Sequence, residues 1–216
     1  KATNRQTQVK DEELAALTDF QKGLEEYYQA VPNVAHRLYY ERRSQQFRAT
    51  PQVERIRIVN IATQIRTFAS MFLAQAHIAS RYYGTLLKAV EQNIFAPDHS
   101  PVAYYLSSLA LFRFESMVRK KTVPQRFRPF KYHIVFALRI CLQDGEMPTL
   151  SSNKFAKYCN LIVTSLQDDG LCLKAIRQCC DALEAIVGEN ISNPDAAKDA
   201  SLAAKLQMKL TKPNTA

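Results

Sequence analysis

Apolar residues recur at helical spacing along most of the chain. Leu14, Leu17, Phe20, Leu24 and Tyr27 or Tyr28 mark one face of a helix over Glu12–Ala30, with Asp11 as its N-cap and Pro32–Asn33 as its stop. A second stripe, Ile58, Ile61, Ile65, Phe68, Phe72 and Leu73, predicts a helix over Val53–Ala74. A third helix is expected over Ile78–Phe95, with His77 at its entrance and Gly84 as a point of close packing against a neighbour. Phe95–Pro101 reads as a loop, and Pro101 suits the first position of an aromatic helix over Val102–Val118. Further helices are expected over Tyr132–Leu142, over Asn153–Leu166 capped by Leu150 or Ser151, and over Leu171–Val187, the last two separated by Gly170. A weaker apolar face runs over Ala196–Leu210. The pattern therefore predicts roughly seven or eight helices, no strong strand and no solenoid repeat.

One stretch breaks the rhythm. Residues 37–49, RLYYERRSQQFRA, are bulky, aromatic and partly alternating, which suits a short extended segment or hairpin arm. The expected fold is mainly α: a compact multi-helix domain with a short extended or irregular insert near residues 34–50. Residues 1–188 are assigned to the helical domain, and residues 189–216 to a polar linker with a weak, loosely attached C-terminal helix and tail.

Composition narrows the class. The 216 residues are 47% hydrophobic, enough to bury a core. Only 5 are glycine and none is tryptophan, which disfavours turn-rich β folds and glycine-loop nucleotide sites. The net charge of +9 fits a polyanionic partner and also fits plain solubility. The 5 cysteines are an odd number without CxxC spacing, so buried free thiols in a reducing cytoplasm are expected, not a zinc knuckle. No apolar run reaches the ~18 residues a membrane span needs. The opening KATNRQTQVK, without an initiator Met, reads as part of a longer protein.

Chemistry concentrates in the insert. Arg37, Arg42 and Arg43 offer planar forks suited to carboxylate or phosphate. Tyr40 brings a ring and a hydroxyl, and Glu41 can hold one guanidinium while the others face a partner. With the amides and guanidinium of Asn4, Arg5 and Gln6, these residues predict a phosphate-binding face for DNA or RNA, which Arg55, Arg57 and Arg66 could extend. The competing structural reading is an ion-pair knot that pins an irregular segment onto the helices. A second basic run, RKKTVPQRFRPFK at 119–131, interleaves Phe127 and Phe130 with cations as nucleic-acid grooves do, or is a cation-rich helix end followed by a connecting loop.

Catalytic signals are thin. P-loop, GxGxxG, HExxH and GxSxG motifs are absent, and no paired carboxylates suggest a two-metal site. A metal-free scheme can be written with His99 as base, Tyr39 or Tyr40 as acid, Glu41 nearby and Arg42 as clamp. A metal held by His77, Asp98 and His99 has no supporting spacing, and no cofactor is implied.

Four segments together, ATNRQTQV at 2–9, LYYERR at 38–43, MFLAQAHIASRYYG at 71–84 and IFAPDHSPVAYYLSSLAL at 94–111, resemble the abortive infection phage resistance (AIPR) proteins of bacteria. The resemblance covers about residues 1–140, departs from the family at Ala76, where proline is expected before His77, and leaves residues 145–216 unassigned. It implies a role in phage defence, often beside restriction–modification genes, in proteins much longer than this chain. The family's polar motifs fall on Thr3, Asn4, Arg5, Gln6, Tyr40, Glu41, Arg42, Arg43 and His77. Three functions follow as expectations: a nucleic-acid-binding module, part of a nuclease completed by an upstream domain of the same polypeptide, or a docking platform that includes homodimerisation.

Overall fold

The computed structural model describes residues 11–81, 83–94, 99–143 and 145–211. Its centre is a pair of helices, α5 (Pro101–Arg119) and α6 (Lys131–Leu142), buried on nearly every side. A helix apolar all round must be wrapped by others. Five further helices do the wrapping: α1 (Asp11–Gln29) and α2 (Ile61–Leu73) lie against α5, α2 also against α6, α7 (Asn153–Gln167) against α5, and α8 (Asp169–Val187) and α9 (Leu202–Leu210) against α6. Two shorter helices, α3 (Ala76–Ala79) and α4 (Tyr83–Ile94), pack beside α2.

The irregular insert becomes a parallel two-stranded ribbon, β1 (Tyr39–Glu41) with β2 (Ile58–Asn60), in the register Tyr39 to Ile58, Tyr40 to Val59 and Glu41 to Asn60. This is not a hairpin: parallel strands need a crossover, here residues 42–57, which includes a 3₁₀ turn at Arg55–Arg57. The second helix accordingly starts at Ile61 and not at Val53. β-Branched Ile58 and Val59 favour the strand, and the Asn60 side chain accepts a 2.9 Å hydrogen bond from Thr63 N, capping α2.

The chain turns at Ala74 without proline. Ala74 takes the left-handed conformation, φ 53°, ends α2, and lets α3 restart at Ala76. The expected single helix over Ile78–Phe95 is split after Ala79, where Ser80 caps α3 and its Oγ donates to Ala76 O at 2.9 Å. Gly84 marks no close contact, since a Cβ there would meet nothing within 4 Å. Gly170 lies inside α8 and separates nothing. The boundary is Asp168, whose carboxylate accepts from Leu171 N at 2.8 Å. The last helix is not loose: Leu202, Ala203 and Leu206 of α9 are buried against α6 and α8.

Candidate functional site

Residues 31–48 carry the densest polar geometry. Arg37 turns its fork inward, Nε and Nη2 donating to Val31 O at 3.1 and 3.0 Å just beyond α1. Arg57 grips the same backbone from the other side, Nη1 donating to Ala35 O and Arg37 O at 3.0 Å each, while its guanidinium lies 4.7 Å from the Phe112 ring centre. His36 is buried between them. Its Nε2 accepts from Arg113 Nη1 at 3.0 Å, because arginine has only donors, and Arg113 Nη2 donates to Asp169. Burial first, then the adjacent Arg113 charge, lowers the His36 pKa and keeps the imidazole neutral.

The two tyrosines part as a pleated strand requires. Tyr40 is in the core, edge-on to Tyr28 with ring centres 5.9 Å apart, its hydroxyl donating to Gln21 Oε1 at 3.3 Å. Tyr39 is half-buried and packs edge-on to Phe47 at 5.5 Å. Glu41, also half-buried, pairs in register with Asn60.

Beyond β1 the backbone turns around one glutamine. Gln46 Oε1 accepts from the consecutive amides of Arg42 and Arg43 at 3.2 and 3.3 Å, and Gln46 Nε2 donates to Glu25 Oε1 at 2.7 Å. Arg42 Nε donates to the other oxygen, Glu25 Oε2, at 3.0 Å. Glu25 therefore neutralises Arg42 and fixes the turn to α1. Arg43 and Arg48 remain exposed, Arg48 Nη1 donating only to the neutral Gln45 Oε1 at 2.8 Å. Neither faces a carboxylate among the described residues.

The family model described as AIPR protein matches residues 1–195. The chain belongs to the AIPR family. The match passes the end of α6 and takes in α7 and α8, a region that the sequence alone left unassigned. No curated protein and no solved structure matches the chain.

In this AIPR protein the expected site residues divide by setting. Asn4, Arg5 and Gln6 lie outside the described residues, as do Thr3 and Asp98. Arg37 and Arg42 are engaged internally, Tyr40 is a core residue, and Arg43, like Arg55, is exposed without a carboxylate partner among the described residues. His99 sits elsewhere, stacked on Phe68 with ring centres 5.6 Å apart and its Nδ1 3.2 Å from the Tyr104 hydroxyl. The Tyr104 hydroxyl donates to Ile94 O, so His99 Nδ1–H donates to it. That places His99 in the α2–α5 packing, on Phe68 and Tyr104, whereas Tyr40 packs on Tyr28 and bonds Gln21. Arg55 lies just before β2 while Arg43 lies just after β1, so parallel pairing puts them at opposite ends of the ribbon.

Four of the six cations of the second basic run meet a carboxylate, while Lys120 and Lys121 are exposed. Arg119 meets Glu54 at 3.6 Å, Arg126 meets Glu184 at 3.0 Å, and Arg128 and Lys131 share Glu115 at 3.3 and 3.9 Å. Phe127 and Phe130 are buried, so they are core anchors of the α5–α6 connection and offer no stacking platform for bases. Among the described residues no helix is long and apolar enough to cross a membrane, and no three His, Cys, Asp or Glu side chains come together to hold a metal ion. Glu25 and Gln46, the partners that shape the turn, gave no sequence signal. One lies on an ordinary amphipathic helix and the other is a neutral residue in a polar stretch.

Proposed function

We propose that this AIPR protein serves abortive-infection defence by binding a phosphate-bearing ligand, nucleic acid foremost, at the turn that follows β1. The observation that supports this reading is selective exposure. Most arginines of the insert and of the second basic run are matched to a carboxylate or backbone carbonyl, while among the described residues Arg43 and Arg48 project from one glutamine-braced turn without a carboxylate. The turn is held by Gln46 and Glu25, so the two guanidiniums are presented with little ordering cost. Tyr40 supports the strand from the core side, and Asn4, Arg5 and Gln6, outside the described residues, are proposed as further phosphate contacts. Localisation is taken as cytoplasmic, where such ligands are found.

Anisotropy titrations of labelled single-stranded RNA, single-stranded DNA and duplex DNA across a salt series test this. Arg43→Glu with Arg48→Glu is expected to weaken binding at least about tenfold, and to flatten the log–log salt slope by roughly 0.7–0.9 per lost phosphate contact. Wild-type affinity and slope in the double variant would overturn the reading. Arg42→Ala is a useful contrast, since it removes the Glu25 ion pair and disturbs the turn from within.

A further inference from the structure

The five cysteines are free thiols, and two of them meet across the helix pair α6–α8: Cys141 Sγ lies 3.5 Å from Cys179 Sγ. We propose that Cys141 and Cys179 form a peroxide-responsive dithiol, a redox modification site whose oxidised state is a disulfide joining α6 to α8.

The geometry carries the pairing. A disulfide bond is about 2.05 Å long, so the sulfurs need to close by roughly 1.5 Å, within reach of side-chain rotation and a slight approach of two packed helices. Accessibility divides the roles. Cys141 is partly exposed at the C-terminal end of α6, whereas Cys179 is buried in the middle of α8. The Cys179 thiol contact lowers the Cys141 pKa, while burial raises that of Cys179. Cys141 is therefore the attacking thiolate and Cys179 the resolving thiol. The other three cysteines differ. Cys159, Cys172 and Cys180 are buried, burial raises the pKa of each, and no sulfur is within bonding reach of theirs among the described residues.

The chemistry balances with a hydroperoxide as oxidant. The Cys141 thiolate attacks one oxygen of hydrogen peroxide, the O–O bond breaks, and the departing hydroxide takes a proton to leave as water. The sulfur is oxidised by two electrons to a sulfenic acid. Cys179 sulfur then attacks Cys141 sulfur. The S–S bond forms, the S–O bond breaks, and the hydroxyl leaves with the Cys179 proton as a second water. The product closes a loop over α7 and the first half of α8, so it restrains the outer helices against the central one.

The test is peroxide titration of the full chain, followed by intact mass measurement and peptide mapping without reductant. The expected result is a loss of about 2 Da that dithiothreitol reverses, and a Cys141–Cys179 crosslinked peptide. A rise of the thermal midpoint by about 5–10 °C in the oxidised protein is also expected. Cys179→Ala, which keeps a small apolar residue on α8, is expected to stop at a dimedone-reactive sulfenic acid on Cys141. Should that variant fail to fold, the wild-type peptide map decides alone. A folded wild-type protein that ends as sulfinic acid on Cys141, that crosslinks a different pair, or that keeps all thiols reduced at peroxide levels that oxidise a free cysteine would overturn the proposal.

Discussion

Replacing Gln64 with leucine is expected to lower the unfolding free energy by roughly 3–5 kcal/mol. Gln64 is almost wholly buried on α2 and ties three helices together. Its Nε2 donates to Tyr104 O at 3.1 Å and to Ser107 Oγ at 3.4 Å on α5. Its Oε1 accepts from the Tyr28 hydroxyl of α1 and from Ser108 Oγ at 3.3 Å. Ser107 Oγ in turn donates to Thr67 Oγ1 at 3.2 Å, and Thr67 Oγ1 donates back to Gln64 O at 3.1 Å. Leucine fills similar volume but removes every side-chain bond, leaving the Tyr28 hydroxyl with Ser108 alone at 3.1 Å. A buried hydroxyl or amide stripped of partners costs about 1–3 kcal/mol, and several share this residue.

Urea unfolding followed by circular dichroism measures the loss, and a second variant identifies its cause. Tyr28→Phe removes the hydroxyl that Gln64→Leu leaves with one partner fewer. The double variant should therefore be less destabilised than the sum of the singles, by roughly 1–2 kcal/mol. Strict additivity, or a Gln64→Leu cost below about 1 kcal/mol, would mean that the network is not coupled and that packing alone joins α1, α2 and α5.

The same network shows why parts of the molecule were legible in the sequence and others were not. α1, α5, α6, α7 and α8 fall close to their expected spans because their apolar spacing is local. The ribbon was visible only as an irregular insert, because three-residue strands paired across a crossover carry no local period. The partners of the arginines were invisible for the same reason. Arg42 is answered by Glu25 on α1, and Arg128 by Glu115 in the last turns of α5, partners that no local spacing announces. Alternating aromatics and cations at 119–131 looked like a nucleic-acid groove, since residue type alone does not separate a ring turned into a core from a ring offered to a base. The separation of Tyr39 from Tyr40 was readable, because period-2 alternation fixes opposite faces once an extended conformation is granted. The Ala74 turn was not, as alanine gives no warning of a positive φ.

Acid should expose the second large effect, at His133. This α6 histidine is fully buried, packs edge-on to Phe130 with ring centres 6.1 Å apart, and has no hydrogen-bond partner on either ring nitrogen among the described residues. Burial, reinforced by His77 and opposed by Asp199, lowers its pKa from 6.5 to about 4. The unfolded chain thus takes up this proton first as pH falls. Neutral His133 contributes fully above about pH 6.5, and its share of stability drains between about pH 6.5 and 4, amounting to roughly 3 kcal/mol. Below that range the folded state is protonated too and the slope from this group ends. Carboxylates such as Asp199, whose pKa the Ser201 hydroxyl and amide lower, also titrate toward the acid end, so the comparison must be differential. His133→Leu keeps an apolar side chain of similar size and removes the titration. Its stability relative to wild type is therefore expected to improve by about 3 kcal/mol between pH 7 and pH 4, read as diverging urea midpoints at matched ionic strength. Parallel pH profiles for the two proteins would show that the imidazole reaches water or a partner in the folded state.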